Sequence, residues 1–502
     1  MPRSLASLSI VPLVFALNAA LAADVDPAVR TSAGQGGDVD VLIVFADQAQ
    51  PTLAPLDPRA DYRERRRALV DALRARAGVQ QAGVRGWLAS RGIAYRPYWI
   101  ANLISARLDA DDIDALARRA DVARIAADPK IAARLPQPAT SAAAPTAPQG
   151  SAWGVEKIRA PAVWERGITG QGVVIGGQDT GYQWDHPALK SQYRGWDGSV
   201  ADHDYNWHDA IHQPNASCPA DSPAPCDDYG HGTHTAGTFA GGDGAGNPIG
   251  VAPGARWIGC RNMDDGDGTP ASYIECMEWL LAPTDLAGAN PDPDRAPDVV
   301  NNSWGCVPEE GCTVGDELQV AVDNLVAAGV FFVVSAGNDG PGCGSITTPA
   351  AIYDASFVVG ATTTSDAVWS SSSRGPVAGS ATIRPDVVAP GVSILSTLPG
   401  GGYGTMSGTS MAGPHVAGTA ALMMSANPSL RGQPARLAAL LRASATTSGV
   451  TSAYNPGGCG GTTMSDWPNH QAGYGRLDAA AAVQAALDEA ELDVIFVDGF
   501  DG

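Results

Sequence analysis

The chain has 502 residues, of which 44% are hydrophobic and 17% are charged, so it can bury a large core and hold more than one domain. Its formal net charge is −21, and from residue 135 onward 14 basic residues stand against 38 acidic ones. A surface of that charge repels phosphates, which argues against nucleic-acid binding by this larger part of the chain.

The first 22 residues have the pattern of a secretory signal peptide. Arg3 precedes the apolar run 10–22, which ends in the small-residue cleavage pattern Ala20-Leu21-Ala22. The run is short for a membrane span, and no later stretch is long and apolar enough to form one. The sequence therefore predicts a secreted protein, extracellular or periplasmic, with no membrane span.

Residues 23–135 alternate strand-like and helix-like patterns. Strands are predicted over 39–45, in the two halves of 93–108, and over 123–135, and helices over 62–90 and 110–120. The order β-α-β-β-α-β is that of a small α+β, ferredoxin-like domain. Between 24 and 134 this region has 17 basic and 15 acidic residues, so it should be weakly attracted to the acidic remainder.

Residues 136–150 are uncharged and rich in Pro, Ala, Ser and Thr, which predicts an extended, protease-accessible linker. A larger α/β region is predicted over 151–487. It has short apolar runs typical of buried parallel strands at 173–178, 257–260, 298–303 and 330–335, with helical patterns at 234–240, 273–281 and 314–328. This alternation predicts a doubly wound, mostly parallel sheet, whose reactive groups would lie at the carboxyl ends of its strands.

All eight cysteines lie between 218 and 459, and an even number in an exported protein favours disulfides. Pairing cannot be deduced from sequence. Short separations make Cys218–Cys226, Cys260–Cys276 and Cys306–Cys312 reasonable pairs, and Cys343–Cys459 would then remain.

Three motifs place Asp, His and Ser in one order along the chain: Asp179-Thr180-Gly181, His231-Gly232-Thr233-His234 and Gly408-Thr409-Ser410-Met411-Ala412. A serine hydroxyl becomes a useful nucleophile when an imidazole takes its proton and a carboxylate orients that imidazole. Ser410 precedes a helical pattern over 411–425, so free backbone N–H groups would lie beside it. Asn338, in a glycine-rich turn after a predicted strand, can donate a further N–H to a developing oxyanion.

Five segments in this order resemble the subtilisin-family (subtilase) serine peptidases: VIGGQDTG at 174–181, GHGTHTAG at 230–237, SWG at 303–305, SAGN at 335–338 and GTSMAGPHVAG at 408–418. The resemblance implies that Ser410 is the nucleophile, His231 the general base and then acid, and Asp179 its orienting carboxylate. It implies that Asn338 helps to bind the oxyanion. It also implies that substrate lies against Ser303, Trp304 and Gly305. Trp304 stands where the family usually has a small or aliphatic residue, and Cys306 where Gly is commoner.

Residues 23–135 likewise resemble the family's inhibitor-like propeptide, and 153–189 are similar to bacillopeptidase F-type members. The resemblance predicts a secreted serine endopeptidase that is made as a self-processing proenzyme and cleaved in the linker. Its partners would be protein or peptide substrates and its own propeptide, which would act as an intramolecular inhibitor. We expect a monomer that requires no cofactor for its chemistry.

Other interpretations give the same residues different roles. His231 and His234 could bind a metal. Gly408–Ala412 could be a hydrolase elbow without its last Gly, with Asp466 and His470 following in the order of that fold. The large region could be a non-catalytic binding module, or a sedolisin-type carboxyl peptidase, which needs Glu in the His role. Asp-Thr-Gly also occurs in aspartic proteases, but those need two copies and the chain has one.

Two acidic features have no assigned role in this scheme. Simple solvation of a secreted surface is the simpler explanation of the excess charge, and the alternative is a structural calcium ion, which clustered carboxylates such as Asp264, Asp265 and Asp267 would suit. Residues 488–502 are predicted to form an acidic C-terminal tail whose last seven residues could be a sorting or processing tag.

Overall fold

The computed structural model describes residues 23–48, 61–132, 135–138, 150–244, 248–305 and 316–498. The predicted signal peptide, most of the linker and the last four residues of the tail lie outside these ranges. The described part forms a smaller N-terminal unit and a larger C-terminal unit. Within it, no helix is long and apolar enough to cross a membrane.

The N-terminal unit is a five-stranded sheet with three of its four helices packed on one face. Its elements are β1 (Asp24–Val25), α1 (Pro27–Gly34), β2 (Val39–Phe45), α2 (Tyr62–Gln80), α3 (Ala82–Ser90), β3 (Tyr95–Tyr98), β4 (Leu103–Leu108), α4 (Ala110–Ala117), β5 (Val122–Ala127) and β6 (Ile131–Ala132). The sheet has the order β1-β5-β2-β4-β3, and β6 lies outside it. The elements from β2 to β5 follow the predicted order β-α-β-β-α-β.

Two boundaries differ from the prediction. The helix predicted over 62–90 is interrupted at Gln81, whose buried amide donates to the Tyr98 carbonyl at 2.8 Å and so ties this point to the turn after β3. The strand predicted over 123–135 ends at Ala127. The chain then leaves the sheet, and β6 pairs with the larger unit instead.

The larger unit is built on a seven-stranded parallel sheet. The strands of this unit, including those of its smaller sheets, are β7 (Val174–Asp179), β8 (Trp207–Asp209), β9 (Arg256–Arg261), β10 (Met263–Asp264), β11 (Asp267–Gly268), β12 (Val299–Asn302), β13 (Phe331–Ser335), β14 (Phe357–Thr362), β15 (Val387–Pro390), β16 (Ile394–Leu398) and β17 (Gly402–Met406). The main sheet has the order β15-β14-β13-β12-β7-β9-β8, and every pair in it is parallel. The predicted mostly parallel α/β sheet is confirmed.

Helices cover both faces of this sheet. They are α5 (Trp153–Lys157), α6 (Ala160–Trp164), α7 (His231–Ala240), α8 (Pro270–Leu281), α9 (Asp316–Ala327), α10 (Thr409–Ala426), α11 (Pro434–Ser444) and α12 (Ala479–Asp498). One apolar core joins α7, α10 and α12 to one face, and a second joins α8 and α9 to the other. The second core continues into the N-terminal unit through Leu42, Leu103 and Ala126, so the small sheet packs on α8 and α9.

Disulfides link Cys218 to Cys226, Cys260 to Cys276, and Cys343 to Cys459, as predicted. The fourth predicted pair, Cys306–Cys312, lies outside the described residues.

Candidate active site

Asp179 is the last residue of β7, a central strand, and its side chain is fully buried. One carboxylate oxygen, Oδ1, accepts the Thr180 backbone N–H at 2.8 Å and a bond from His231 Nδ1 at 2.7 Å. In a parallel sheet the carboxyl ends of all strands meet at one edge, so Asp179 lies where the predicted reactive groups converge.

His231 is the first residue of α7, and its ring is also fully buried. Because Nδ1 faces a carboxylate oxygen, it carries the ring proton, and Nε2 is left with its lone pair. Nε2 is buried and has no hydrogen-bond partner among the described residues. The pair thus presents a basic nitrogen that is free to take a proton.

Asp227, which no sequence pattern indicated, holds this pair in position. Its Oδ1 accepts the Thr180 hydroxyl at 2.9 Å and the Gly230 N–H at 2.8 Å, while its Oδ2 accepts the Thr233 N–H at 3.0 Å. One carboxylate therefore joins the turn after Asp179 to the first turn of α7. Burial raises the pKa of Asp227.

Gly181 completes the same turn. Its φ is +110°, and a Cβ there would collide with the Cys226 carbonyl oxygen. Glycine is required at this position for both reasons.

Ser410 is the second residue of α10 and is 3% exposed. Pro414 lies four residues on and has no N–H, so the Ser410 carbonyl lacks its helical donor and accepts the Ser303 hydroxyl at 3.0 Å instead. The Ser410 hydroxyl donates to the Ser303 carbonyl at 2.8 Å. In this state the hydroxyl therefore binds Ser303, not His231.

Asn338 follows β13 and faces the start of α10. Its Oδ1 accepts the Thr409 N–H at 2.9 Å and the Thr409 hydroxyl at 3.0 Å. The same hydroxyl lies 3.2 Å from the Gly337 backbone nitrogen. Because Oδ1 is held by two donors, the orientation of the amide is fixed and its Nδ2 donor end is left for a ligand.

The segment 303–305 follows β12 at the same sheet edge. Asn301 donates to the Ser303 hydroxyl at 2.8 Å, and Asn302 donates to the Trp304 carbonyl at 3.0 Å. The Trp304 ring is only 2% exposed and stacks on Tyr273 with centroids 3.7 Å apart. The ring is thus a core group, and the segment presents mainly its backbone to the cleft.

The N-terminal unit reaches this site through its last described residues. β6 pairs with β11 in antiparallel fashion, with Ile131 opposite Gly268. Further on, the Leu135 carbonyl accepts the Tyr229 hydroxyl at 3.2 Å, and Gln137 also bonds that hydroxyl. The Pro136 ring lies 2.8 Å from where a Gly408 Cβ would be. Residues 131–132 therefore lie beside β11, and residues 135–137 lie beside Tyr229 and the Ser410 motif.

The alternative arrangements do not assemble. His234 donates from Nε2 to the carbonyls of Ile394 and Gly404, and burial lowers its pKa to about 3, so it is a neutral structural group. Asp466 accepts from Thr463, while His470 packs against Gly375, so neither completes a hydrolase elbow around Ser410.

The predicted calcium carboxylates bind groups of the protein itself. Asp264 accepts from Asn215 at 2.6 Å and from Arg261 at 3.1 Å, and Asp267 pairs with Lys130 at 3.0 Å. Among the described residues, no group of three or more His, Cys, Asp or Glu side chains has the geometry to hold a metal ion. Structural calcium stays a prediction.

Comparisons with known proteins agree with this geometry. A model of the subtilase family matches residues 170–475. Bacillopeptidase F of Bacillus subtilis (strain 168) is 40% identical over 351 residues, which are 68% of this chain and 22% of that protein. An alkaline protease of Alkalihalobacillus alcalophilus is 34% identical over 356 residues, 71% of this chain and 77% of that protein. Subtilisin E of Bacillus subtilis (strain 168) is 35% identical over 283 residues, 56% of this chain and 62% of that protein. The chain therefore matches only about a fifth of the length of the first of these relatives.

Proposed function

This chain belongs to the subtilase family and is a serine-type endopeptidase, and on that premise we propose that Asp179, His231 and Ser410 are its catalytic triad. The observation that carries the proposal is the buried 2.7 Å bond between Asp179 and His231 Nδ1, which leaves Nε2 without a partner. A general base needs this arrangement: a lone pair held in place by a carboxylate on the other side of the ring.

In the proposed mechanism the Ser410 hydroxyl turns from the Ser303 carbonyl to His231 Nε2 when a peptide binds. His231 takes the proton as Ser410 Oγ attacks the scissile carbonyl carbon, and it then protonates the departing amine. The resulting acyl-enzyme is hydrolysed by water in the reverse sequence of proton transfers. Asn338 Nδ2 and the backbone N–H groups at the start of α10 stabilise the oxyanion in both halves of the reaction.

We propose that substrates bind as an extended strand between β11 and the segment Ser303, Trp304 and Gly305. The pairing of β6 with β11 supports this, because a peptide can take the same edge by strand addition. Ile131 of β6 is buried in the apolar core that also contains Tyr273 and Trp304. An apolar substrate side chain would be favoured at the position that Ile131 takes.

The N-terminal unit would then be an inhibitory propeptide and the chain a self-processing proenzyme. What supports this is that its residues 131–132 pair with β11 and its residues 135–137 contact Tyr229 and Gly408, on either side of the proposed substrate site. We infer that the first cut falls between Ala132 and Pro136, followed by loss of the linker. The disulfides and the leading signal-like sequence support secretion, and we expect the mature enzyme to be monomeric.

Expression of the Ser410→Ala chain tests self-processing. The variant should keep residues 23–150 attached in a purified system, whereas the unaltered chain should release a fragment whose end maps between residues 132 and 136 by mass and terminal sequencing. Loss of the fragment from pure Ser410→Ala protein would disprove self-processing. Casein hydrolysis by the processed protein, blocked by a serine-directed inhibitor, tests the activity itself.

A further inference from the structure

Arg66 belongs to α2 of the N-terminal unit, but its side chain is buried against the larger unit. Its hydrogen-bond partners are more than 200 residues away in the sequence. Its side chain is 1% exposed, and Nε donates to the Ala328 carbonyl at 3.0 Å. Nη1 lies 3.4 Å from the Pro293 carbonyl and 3.5 Å from the Ala296 carbonyl. A buried guanidinium usually has a carboxylate partner, whereas this one is held by main-chain oxygens.

The larger unit supplies every one of these oxygens, and the local structure explains why they are available. Ala328 directly follows α9, and Gly329, with φ +86°, ends the helical turn. The last carbonyls of a helix lack internal donors and lie at the negative end of its dipole, so they attract a cation. Pro293 begins a single 3-10 turn and Ala296 follows it, and their two carbonyls lie near the same guanidinium nitrogen. We call Pro293, Ala296 and Ala328 the arginine slot.

Further contacts hold the first turn of α2 against the larger unit beside this slot. The Tyr62 ring lies on Gly432, where any side chain would collide with it. The guanidinium carbons of Arg66 and Arg431 lie 5.4 and 5.8 Å from the centre of that ring. Arg431 is itself held by Asp298 at 2.9 Å, and the charge of Asp298 partly offsets the lowering of the Arg66 pKa by burial.

The slot lies at the opposite edge of the sheet from the candidate active site. Asp298 and Val330 directly precede β12 and β13, whereas Ser303 and Asn338 follow those strands. At roughly 3.3 Å per residue, four or five residues of strand separate the two edges by about 13 to 16 Å. The N-terminal unit therefore contacts the larger unit at two separated places, through residues 131–132 and 135–137 near the candidate active site and through Arg66 at the other edge.

We propose that the arginine slot is a guanidinium-binding site that keeps the N-terminal unit on the enzyme after the chain between them is cut. The proposal rests on the proposed function of that unit as an inhibitory propeptide. A unit held by two contacts is bound more tightly than a unit held by either contact alone. When one contact opens, the other keeps the unit in place until the first re-forms. Cutting within 132–136 weakens the contact at the cleft and leaves the slot occupied, so activity would appear only after a lag.

The slot itself is tested in the uncut Ser410→Ala chain, where catalysis plays no part. Arg66→Ala should lower the midpoint of thermal unfolding by several degrees, and millimolar guanidinium chloride should recover most of that loss, while equal sodium chloride should not. Arg66→Lys should keep only part of the unfolding temperature that Arg66→Ala loses, because an ammonium group lacks the planar, multiply donating geometry of a guanidinium. Arg65→Ala, a partly exposed arginine on the same turn, is the matched control and should change little. Absence of rescue by guanidinium, or an unfolding midpoint in Arg66→Lys equal to that of the parent chain, would overturn a guanidinium site.

The consequence for latency is tested with Ser410 intact. Arg66→Ala should shorten the lag between the first cut and full casein hydrolysis by about 10-fold or more, since truncating a buried charged partner acts mainly on dissociation. If Arg66→Ala does not fold, millimolar guanidinium added to the unaltered chain should shorten the lag by competition without changing the rate of fully processed enzyme. An unchanged lag in both experiments would refute the role in latency. Absence of any casein hydrolysis would refute the proposed function and leave the slot experiment interpretable.

Discussion

Replacing Thr409 by valine should slow the chemical step without weakening substrate binding. The Thr409 hydroxyl donates to Asn338 Oδ1 at 3.0 Å, and valine removes that bond while keeping the shape and the backbone N–H bond at 2.9 Å. One such hydrogen bond has a net value of about 1 kcal/mol, which corresponds to a fall in kcat of roughly 5-fold to 10-fold. The Asn338 donor is needed only once the oxyanion forms, so KM should stay the same.

A double-mutant cycle separates this positioning effect from general damage. Asn338→Ala should lower kcat by ~100-fold or more, since an oxyanion donor contributes about 3 kcal/mol. Because Thr409 acts through Asn338, adding Thr409→Val to Asn338→Ala should cost little further, and Thr409→Ser should behave like the unaltered enzyme. Steady-state kinetics on a peptide substrate provide kcat and KM, with thermal unfolding as a control. The reasoning fails if Thr409→Val lowers kcat equally in both backgrounds, or if it mainly raises KM.

Three further predictions concern the buried carboxyls Glu278 and Asp128, the disulfide Cys343–Cys459 and the turn at Gly181. Burial between the two units raises the pKa of Glu278 to about 8 and that of Asp128 to about 7, so their contribution to docking is complete at acidic pH and is lost as the pH rises through these values. Hydrogen exchange of the Trp99 and Ile100 amides, which donate to Glu278, should therefore accelerate beyond its intrinsic rise between about pH 4.5, the ordinary pKa of the released carboxyl, and about pH 8, and Glu278→Gln should remove the excess. Changing Cys343 and Cys459 together to serine opens a link across 116 residues and should lower the free energy of unfolding by about 4 to 5 kcal/mol in a denaturant titration. Gly181→Ala should cost more than about 3 kcal/mol and abolish casein hydrolysis, because both its φ and the Cys226 carbonyl exclude a Cβ; a variant of ordinary activity would contradict the turn described here.

The parts of the site that the sequence predicted are those fixed by short-range patterns. Asp179 and Asn338 could be placed because each follows a buried apolar run, and such runs in an α/β pattern end at a common sheet edge. Ser410 could be placed because a helical pattern follows it. These inferences need only the neighbouring residues and the general geometry of a parallel sheet.

The residues that the sequence did not predict depend on distant partners. Asp227 bonds Thr180, 47 residues away, and Arg66 bonds Ala328, 262 residues away. Both stand in ordinary charged stretches, where no local pattern distinguishes a buried group from a solvated one. Asp264 shows the same limit, because the sequence could not reveal that Arg261 and Asn215 bind its carboxylate.

The contacts between the two units show how their difference in charge contributes to holding them together. Net charge predicted a weak general attraction, and among the described residues it takes the form of ion pairs across the interface, Arg67–Asp294, Arg96–Glu275, Arg124–Glu317 and Lys130–Asp267. Pairs with an exposed member contribute at most about 1 kcal/mol each and are screened by salt. The bond of Arg66 to buried carbonyls is screened much less, and the apolar contact of the small sheet with α8 and α9 does not depend on charge. Salt alone should thus loosen the N-terminal unit without releasing it.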